Sequence, residues 1–286
     1  MAAKVFRFKS FSITREKAGM KLSTDAVLLG AWTADLLKDK KFSAILDIGT
    51  GTGILALIMA QNFTNAKVDA VDIDDGAIHD ASLNFSASPY KDRLTLIKED
   101  ISTFGLENSY GNCRNDNRVY ELIICNPPYF DFSAELADDS RKNARCNVSL
   151  SADALFSSIA RLMADDGRAC IIIPVEQEKS YLTVAQKCGL IAADRVMVRS
   201  KKDKEPYVIL LGFVKSGKLP VLGNQDADET DNENHSVSVG EMNSIHECYL
   251  HEDDGSRSVF FSRITANLYL FSTRHVLNLQ KIEISC

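Results

Sequence analysis

Four apolar runs of strand length recur in the first half of the chain, and each delivers a polar residue at or near its end. They are Ala44-Ile45-Leu46-Asp47-Ile48, Val68-Asp69-Ala70-Val71-Asp72, Leu94-Thr95-Leu96-Ile97-Lys98 leading into Glu99-Asp100, and Tyr120-Glu121-Leu122-Ile123-Ile124-Cys125 leading into Asn126. The intervals are close to one β-α-β unit. Strands at that interval fit repeated β-α-β units, and in an open parallel sheet the carboxyl edge is where ligands bind.

The first unit is the most explicit. The strand runs into Gly49-Thr50-Gly51-Thr52-Gly53 and then the apolar stretch Ile54-Leu55-Ala56-Leu57-Ile58-Met59-Ala60, a strand, a glycine-rich turn and a helix. Glycines there let the backbone approach a ligand and leave the helix N-terminus open toward it. The spacing is G-x-G-x-G rather than the dinucleotide G-x-G-x-x-G, and no lysine follows as a phosphate-binding loop requires, so neither a nicotinamide dehydrogenase nor a pyrophosphate site fits. Asp72, one unit on, is placed to accept both ribose hydroxyls of a nucleoside-like cofactor. Asp74, ahead of Asp75-Gly76-Ala77-Ile78, reads as a helix N-cap. Asp100 is placed to accept the amine of the cofactor's base.

The fourth run ends in Asn126-Pro127-Pro128-Tyr129. This rigid turn offers a side-chain amide, an exposed carbonyl and a flat ring, which suits a planar nitrogen substrate. The exocyclic amine of an aromatic base is a poor nucleophile and too weak an acid for an ordinary side chain to deprotonate. It needs acceptors, which the Asn126 amide oxygen and the Pro127 carbonyl supply while Tyr129 stacks on the ring; the catalysis is positioning and electrostatics. Cys125 borders the turn, but its place in an apolar strand makes it a core thiol rather than a nucleophile.

Together these motifs resemble the class I S-adenosylmethionine-dependent methyltransferases, in the amino-methylating branch with an Asn-Pro-Pro-Tyr turn. Phe8-Lys9-Ser10-Phe11-Ser12-Ile13 and the segment from Ala18-Gly19-Met20-Lys21-Leu22-Ser23-Thr24-Asp25 to Trp32 narrow the likeness. They resemble the opening of the bacterial enzymes that N6-methylate adenine 37 in the anticodon loop of tRNA1(Val). The likeness covers most of residues 5–215.

It implies a Rossmann-like α/β sandwich with a seven-stranded, mostly parallel sheet, helices on both faces and one reversed strand near an edge. It also implies S-adenosylmethionine as cofactor, with Asp47, Gly49, Gly51 and Gly53 at the methionine end, Asp72 at the ribose and Asp100 at the adenine. Asn126 to Tyr129 form the catalytic turn, Asn126 also bordering the cofactor. Lys21 and Thr24 belong to the N-terminal segment, residues 1–32, that closes over the cofactor; Ser23, Thr24 or Asp25 also reads as an ordinary N-cap. Arg141, Lys142 and Arg145, after the catalytic turn, are the leading contacts to a tRNA backbone. Other planar nitrogens remain open at this point, namely a release-factor glutamine or a DNA adenine, as does a noncatalytic RNA-binding scaffold.

Composition agrees once charge is resolved along the chain. The net charge is −6, but residues 226–254 hold ten Asp or Glu and no Lys or Arg; without those ten the remainder stands at about +4, mildly basic and compatible with phosphate contacts. Residues 216–243 read as a mobile acidic insertion in a single methyltransferase domain spanning 1–286. Seven cysteines without a C-x-x-C pair fit reduced thiols rather than disulfides or zinc, and the five histidines show no ligand spacing. With no signal-like or membrane-spanning apolar run, the expected location is the cytoplasm; nothing specifies an oligomeric state. Further elements are expected as helices at 152–163, 177–188 and 262–271 and strands at 168–174, 191–199, 206–214 and 245–250.

Overall fold

The computed structural model describes residues 4–19, 23–106, 119–128, 150–218 and 246–269. Two short strands, β1 (Lys4–Arg7) and β2 (Ser12–Arg15), pair as a separate antiparallel hairpin. The main sheet contains β3 (Ala44–Ile48), β4 (Lys67–Asp72), β5 (Leu94–Lys98), β6 (Tyr120–Cys125), β7 (Met163–Pro174), β8 (Leu190–Lys201), β9 (Pro206–Lys215) and β10 (His246–His251). Their spatial order is β10-β8-β9-β7-β6-β3-β4-β5, and only β9 runs against its neighbours.

The four runs read from sequence are mostly apolar because both faces of the sheet are covered, with Asp47, Asp69, Thr95 and Glu121 as the interior polar exceptions. In β6, Leu122 and Ile124 enter the core on one face and Ile123 and Cys125 that on the other. The first face carries α1 (Thr24–Leu36), α2 (Ile54–Asn62), α3 (Asp75–Ser86) and α6 (Val259–Ile264); the second carries α4 (Ala152–Leu162) and α5 (Glu178–Lys187). Helix α2 lies within the first layer, and its residues Ile54 to Ala60 are all buried, as expected of a helix apolar around its whole circumference. Side-chain caps set four helix starts: Ser23, Asp74, Ser151 and Ser258 each accept the backbone N–H three residues on.

Two expectations are corrected. The sheet has eight strands rather than seven, because β10 adds to β8 in parallel; its Cys248 and Leu250 join the core of Val196, Val198, Phe261 and Ile264. The helix expected at 262–271 is instead α6, started by the Ser258 cap and ended at Ile264, with Thr265 to Leu268 forming a turn. The acidic insertion 216–243 lies outside the described residues apart from a single 3-10 turn at Ser216–Lys218.

The topology itself prepares a site. The chain lays down β3, β4 and β5 outward in one direction, then returns to place β6 on the other side of β3. At such a reversal the flanking connections diverge and leave a crevice at the carboxyl ends of the strands. Ile48 and Cys125, the last residues of β3 and β6, are register partners there.

Candidate active site

A cleft of about 470 Å³ opens at this reversal. Gly49, Gly51, Asp72, Asp100, Asn126, Pro127 and Pro128 all line it, so the two turns singled out from sequence face one space.

The glycine turn is held from below and behind. Gly49, Gly51 and Gly53 have φ of 67°, 57° and 83°, left-handed values that favour glycine. Gly49 N–H and Thr50 N–H both donate to the Val71 carbonyl, at 2.9 and 3.1 Å. Beneath them Asp47 Oδ2 accepts the Thr50 hydroxyl at 2.6 Å and the Ala56 N–H at 3.0 Å. A Cβ at Gly49 or Gly51 would meet nothing within 4 Å, whereas one at Gly53 would sit 2.4 Å from the Phe85 ring. Thus Gly49 and Gly51 leave open space on the cleft side, and Gly53 fits the turn against α3.

Asp72 bridges the turn to the next loop. One oxygen accepts Gly51 N–H at 2.8 Å and the other accepts Asp74 N–H at 3.0 Å. Each keeps a lone pair for a further donor. Asp74 caps α3 through Ala77 N–H at 2.7 Å, as expected. Asp100 is exposed, its Oδ1 accepting Ser102 N–H at 2.8 Å.

Burial pushes the Asp47 carboxyl up to about 7 from an ordinary 3.8; the Thr50 and Ala56 bonds oppose this and nearby Asp72 adds to it. Among the described residues its Oδ1 meets no donor. The unfolded chain therefore ionises first, so stability from this group is complete only below about pH 4 and is lost as pH rises toward about 7. In melts of ligand-free protein, the Tm of Asp47→Asn relative to wild type is expected to climb over that window and then level off. A pH-independent difference would contradict a buried, raised acid.

Cys125 lines the cleft but is no nucleophile. Complete burial, with Asp47 and Asp72 adding to it, pushes its thiol well above the usual range, so thiolate is scarce. Among the described residues no group of three His, Cys, Asp or Glu side chains could hold a metal ion, and no helix is long and apolar enough to cross a membrane. The described cysteines Cys125, Cys170, Cys188 and Cys248 are free thiols.

Not every residue named from sequence reaches the cleft wall. Asp47 and Gly53 lie behind the turn rather than in the lining, and Thr24 is an exposed first-turn residue of α1 outside it. Lys21, Tyr129, Arg141, Lys142 and Arg145 lie outside the described residues. Sequence reading missed Ile73 and Glu99, which line the cleft; Ala18 and Gly19, within the N-terminal segment expected to close over the cofactor, form one wall of it. Sequence reading also missed Asp80 and Asn84, which secure the chain leading to that wall. Their signal was available: they occupy the buried stripe Ala77, Asp80, Ala81, Asn84, Phe85 of α3, where a polar residue requires a partner.

Residues 31–145 match the methyltransferase small domain family. A crystal structure of a predicted O-methyltransferase from Agrobacterium tumefaciens shares the fold, at TM-score 0.56 and 13% identity, covering 87% of this chain and 98% of that one. The tRNA1(Val) (adenine(37)-N6)-methyltransferase of Tolumonas auensis is 38% identical over 212 residues, 74% of this chain and 83% of the relative. The enzyme of the same name from Phocaeicola vulgatus is 38% identical over 208 residues, 73% and 82% of the two chains. With identity at this level over most of both chains, this protein belongs to the tRNA1(Val) (adenine(37)-N6)-methyltransferase family.

Proposed function

We propose that this chain transfers the methyl group of S-adenosylmethionine to the exocyclic N6 of an adenine in a tRNA anticodon loop, adenine 37 of tRNA1(Val) being the target named for its relatives. The carrying observation is that the glycine turn and the Asn126-Pro127-Pro128 turn line one cleft from adjacent strands in register.

The residues fit the cofactor. The open space above Gly49 and Gly51 admits the methionine end, and Asp47 Oδ1, without a donor among the described residues, lies behind the same turn, where a cationic group nearby would favour its ionised form. Asp72 retains acceptor capacity for ribose hydroxyls, and Asp100, in the same cleft lining, has acceptor capacity for the adenine amine. Bound S-adenosylmethionine supplies an electrophilic methyl on sulfur. The chain's task is to orient the nitrogen: Asn126 Oδ1 and the Pro127 carbonyl accept its N–H groups and turn its lone pair toward that methyl. In this reading the ring of Tyr129 stacks on the base, and the positive charge of Arg141, Lys142 and Arg145, after the catalytic turn, meets the tRNA backbone. An unpaired loop base costs less to extrude than a duplex base, which suits a protein whose net charge is −6 and whose Lys and Arg residues all lie outside the acidic stretch 226–254. The reaction belongs in the cytoplasm, where tRNA is modified.

The test is incubation with S-adenosylmethionine and bacterial tRNA lacking the modification, followed by digestion and mass spectrometry. N6-methyladenosine is the expected product. Its absence despite cofactor binding would redirect the assignment to a release-factor glutamine.

A further inference from the structure

The wall formed by Ala18 and Gly19 does not hold itself in place. Asp80, fully buried in α3, accepts three consecutive backbone N–H groups from the chain just before that wall: Glu16 at 2.9 Å, Lys17 at 3.1 Å to each oxygen, and Ala18 at 2.8 Å. One turn along, Asn84 makes the companion contacts. Its Oδ1 accepts Thr14 N–H at 2.7 Å, and its Nδ2 donates to the Thr14 carbonyl at 3.0 Å and the Thr52 carbonyl at 2.8 Å. Thr52 belongs to the glycine turn. A third contact is steric: the backbone of Gly76 lies so close to the segment that a Cβ there would sit 2.6 Å from the Lys17 carbonyl oxygen.

A fully buried carboxylate is unfavourable unless its oxygens are satisfied, and here the amides that satisfy it lie more than sixty residues away in sequence. The same helix carries Asp74 at its start, beside Asp72, and Asp74 shares the cleft lining with Ala18 and Gly19. We infer that Asp80 is a positioning residue for the cofactor site: with Asn84, it fixes residues 14–19 to α3, so that the N-terminal segment forms the wall that S-adenosylmethionine binds against. This rests on the cofactor reading above. Asp80 touches neither cofactor nor substrate and acts through the backbone of Glu16, Lys17 and Ala18.

Two substitutions approach the contact from opposite sides. Asp80→Asn keeps the side-chain shape but replaces one acceptor oxygen with a donor that faces N–H groups. Gly76→Ala leaves the carboxylate intact and pushes on the Lys17 carbonyl, while improving the intrinsic helix propensity of α3. The first readout is trypsin cleavage after Lys17 in ligand-free protein, followed by mass spectrometry. The inference expects cleavage at least about tenfold faster in Asp80→Asn than in wild type, the loss of hydrogen bonds to a charged group permitting local opening. The second is calorimetric affinity for S-adenosylhomocysteine, expected to weaken by about tenfold or more in both variants, with each retaining a single cooperative melt.

Wild-type cleavage rates in Asp80→Asn, wild-type affinity in either folded variant, or failure of both variants to fold would overturn the inference; the last would make Asp80 a purely structural residue. If the wild-type protein binds no S-adenosylhomocysteine or S-adenosylmethionine, the cofactor reading fails and this role of Asp80 fails with it. A faster cleavage of Asp80→Asn in that case would still separate the anchoring of the segment from the identity of the ligand.

Discussion

Asn126→Ala is expected to lower the rate of methyl transfer by roughly 10²–10³-fold, the usual loss when one preorganised hydrogen-bonding partner is removed from the reacting atoms. Cofactor affinity should change far less, because the glycine turn, Asp72 and the Ala18-Gly19 wall are untouched. The argument rests on the weakness of the nucleophile. With its lone pair delocalised into the ring, the adenine amine reacts only when its N–H groups are drawn into a geometry that frees the pair. The Pro127 carbonyl would remain, which is why residual activity is expected. Single-turnover rates at saturating cofactor, read as N6-methyladenosine by mass spectrometry, isolate that step. A wild-type rate in Asn126→Ala would remove the catalytic role from this turn and leave its prolines as a mere strand stop.

The second large effect separates two glycines of one turn. Gly53→Ala combines a left-handed φ of 83° with a Cβ 2.4 Å from the buried Phe85 ring, a contact that requires α3 or the turn to move. Adopting that φ without glycine and overpacking the core together cost roughly 2–5 kcal/mol, so the melting temperature should fall by several degrees or more. Gly51→Ala carries only the first of these penalties, because its Cβ would meet nothing within 4 Å. That Cβ instead projects into the space proposed for the cofactor. The expected pattern is a badly destabilised Gly53→Ala and a folded Gly51→Ala with impaired S-adenosylmethionine binding. Equal melting temperatures for the two variants would contradict it. So would undiminished binding by Gly51→Ala.

The parts of this molecule legible from sequence are those whose cause is local. The strands at 44–48 and 120–125 announce themselves because a sheet covered on both faces favours apolar residues at nearly every position, Asp47 and Glu121 being the exceptions. The glycine turn is legible because left-handed backbone selects glycine, and Asp74 because a cap acts three residues away. What escaped depends on distant partners. Asp80 bonds amides more than sixty residues back, and nothing near it in sequence predicts them. The extra strand β10 was recognised as a strand, but its place beside β8 follows from a core shared with Val196, Val198 and Phe261. The misplaced helix near the C-terminus reflects a missed cap: Ser258 starts α6 four residues before the expected onset, and Val259, exposed on its first turn, hid the pattern.

The register pairing of Ile48 with Cys125 carries one more consequence. The turn proposed to seat the methyl donor and the turn proposed to receive the amine spring from neighbouring strands joined by a ladder of backbone hydrogen bonds. Adjacent strands keep a spacing near 4.8 Å, so the two turns share a common floor that no hinge divides. This part of the protein works as a fixed gauge. A nucleobase must reach into it far enough to present its nitrogen at the set depth, and one held too shallowly gains nothing from breathing of the sheet. Among bases that carry an exocyclic amine for Asn126 and Pro127 to hold, choice then falls to how far each can be extruded, with the sheet as the constant against which every substrate is measured.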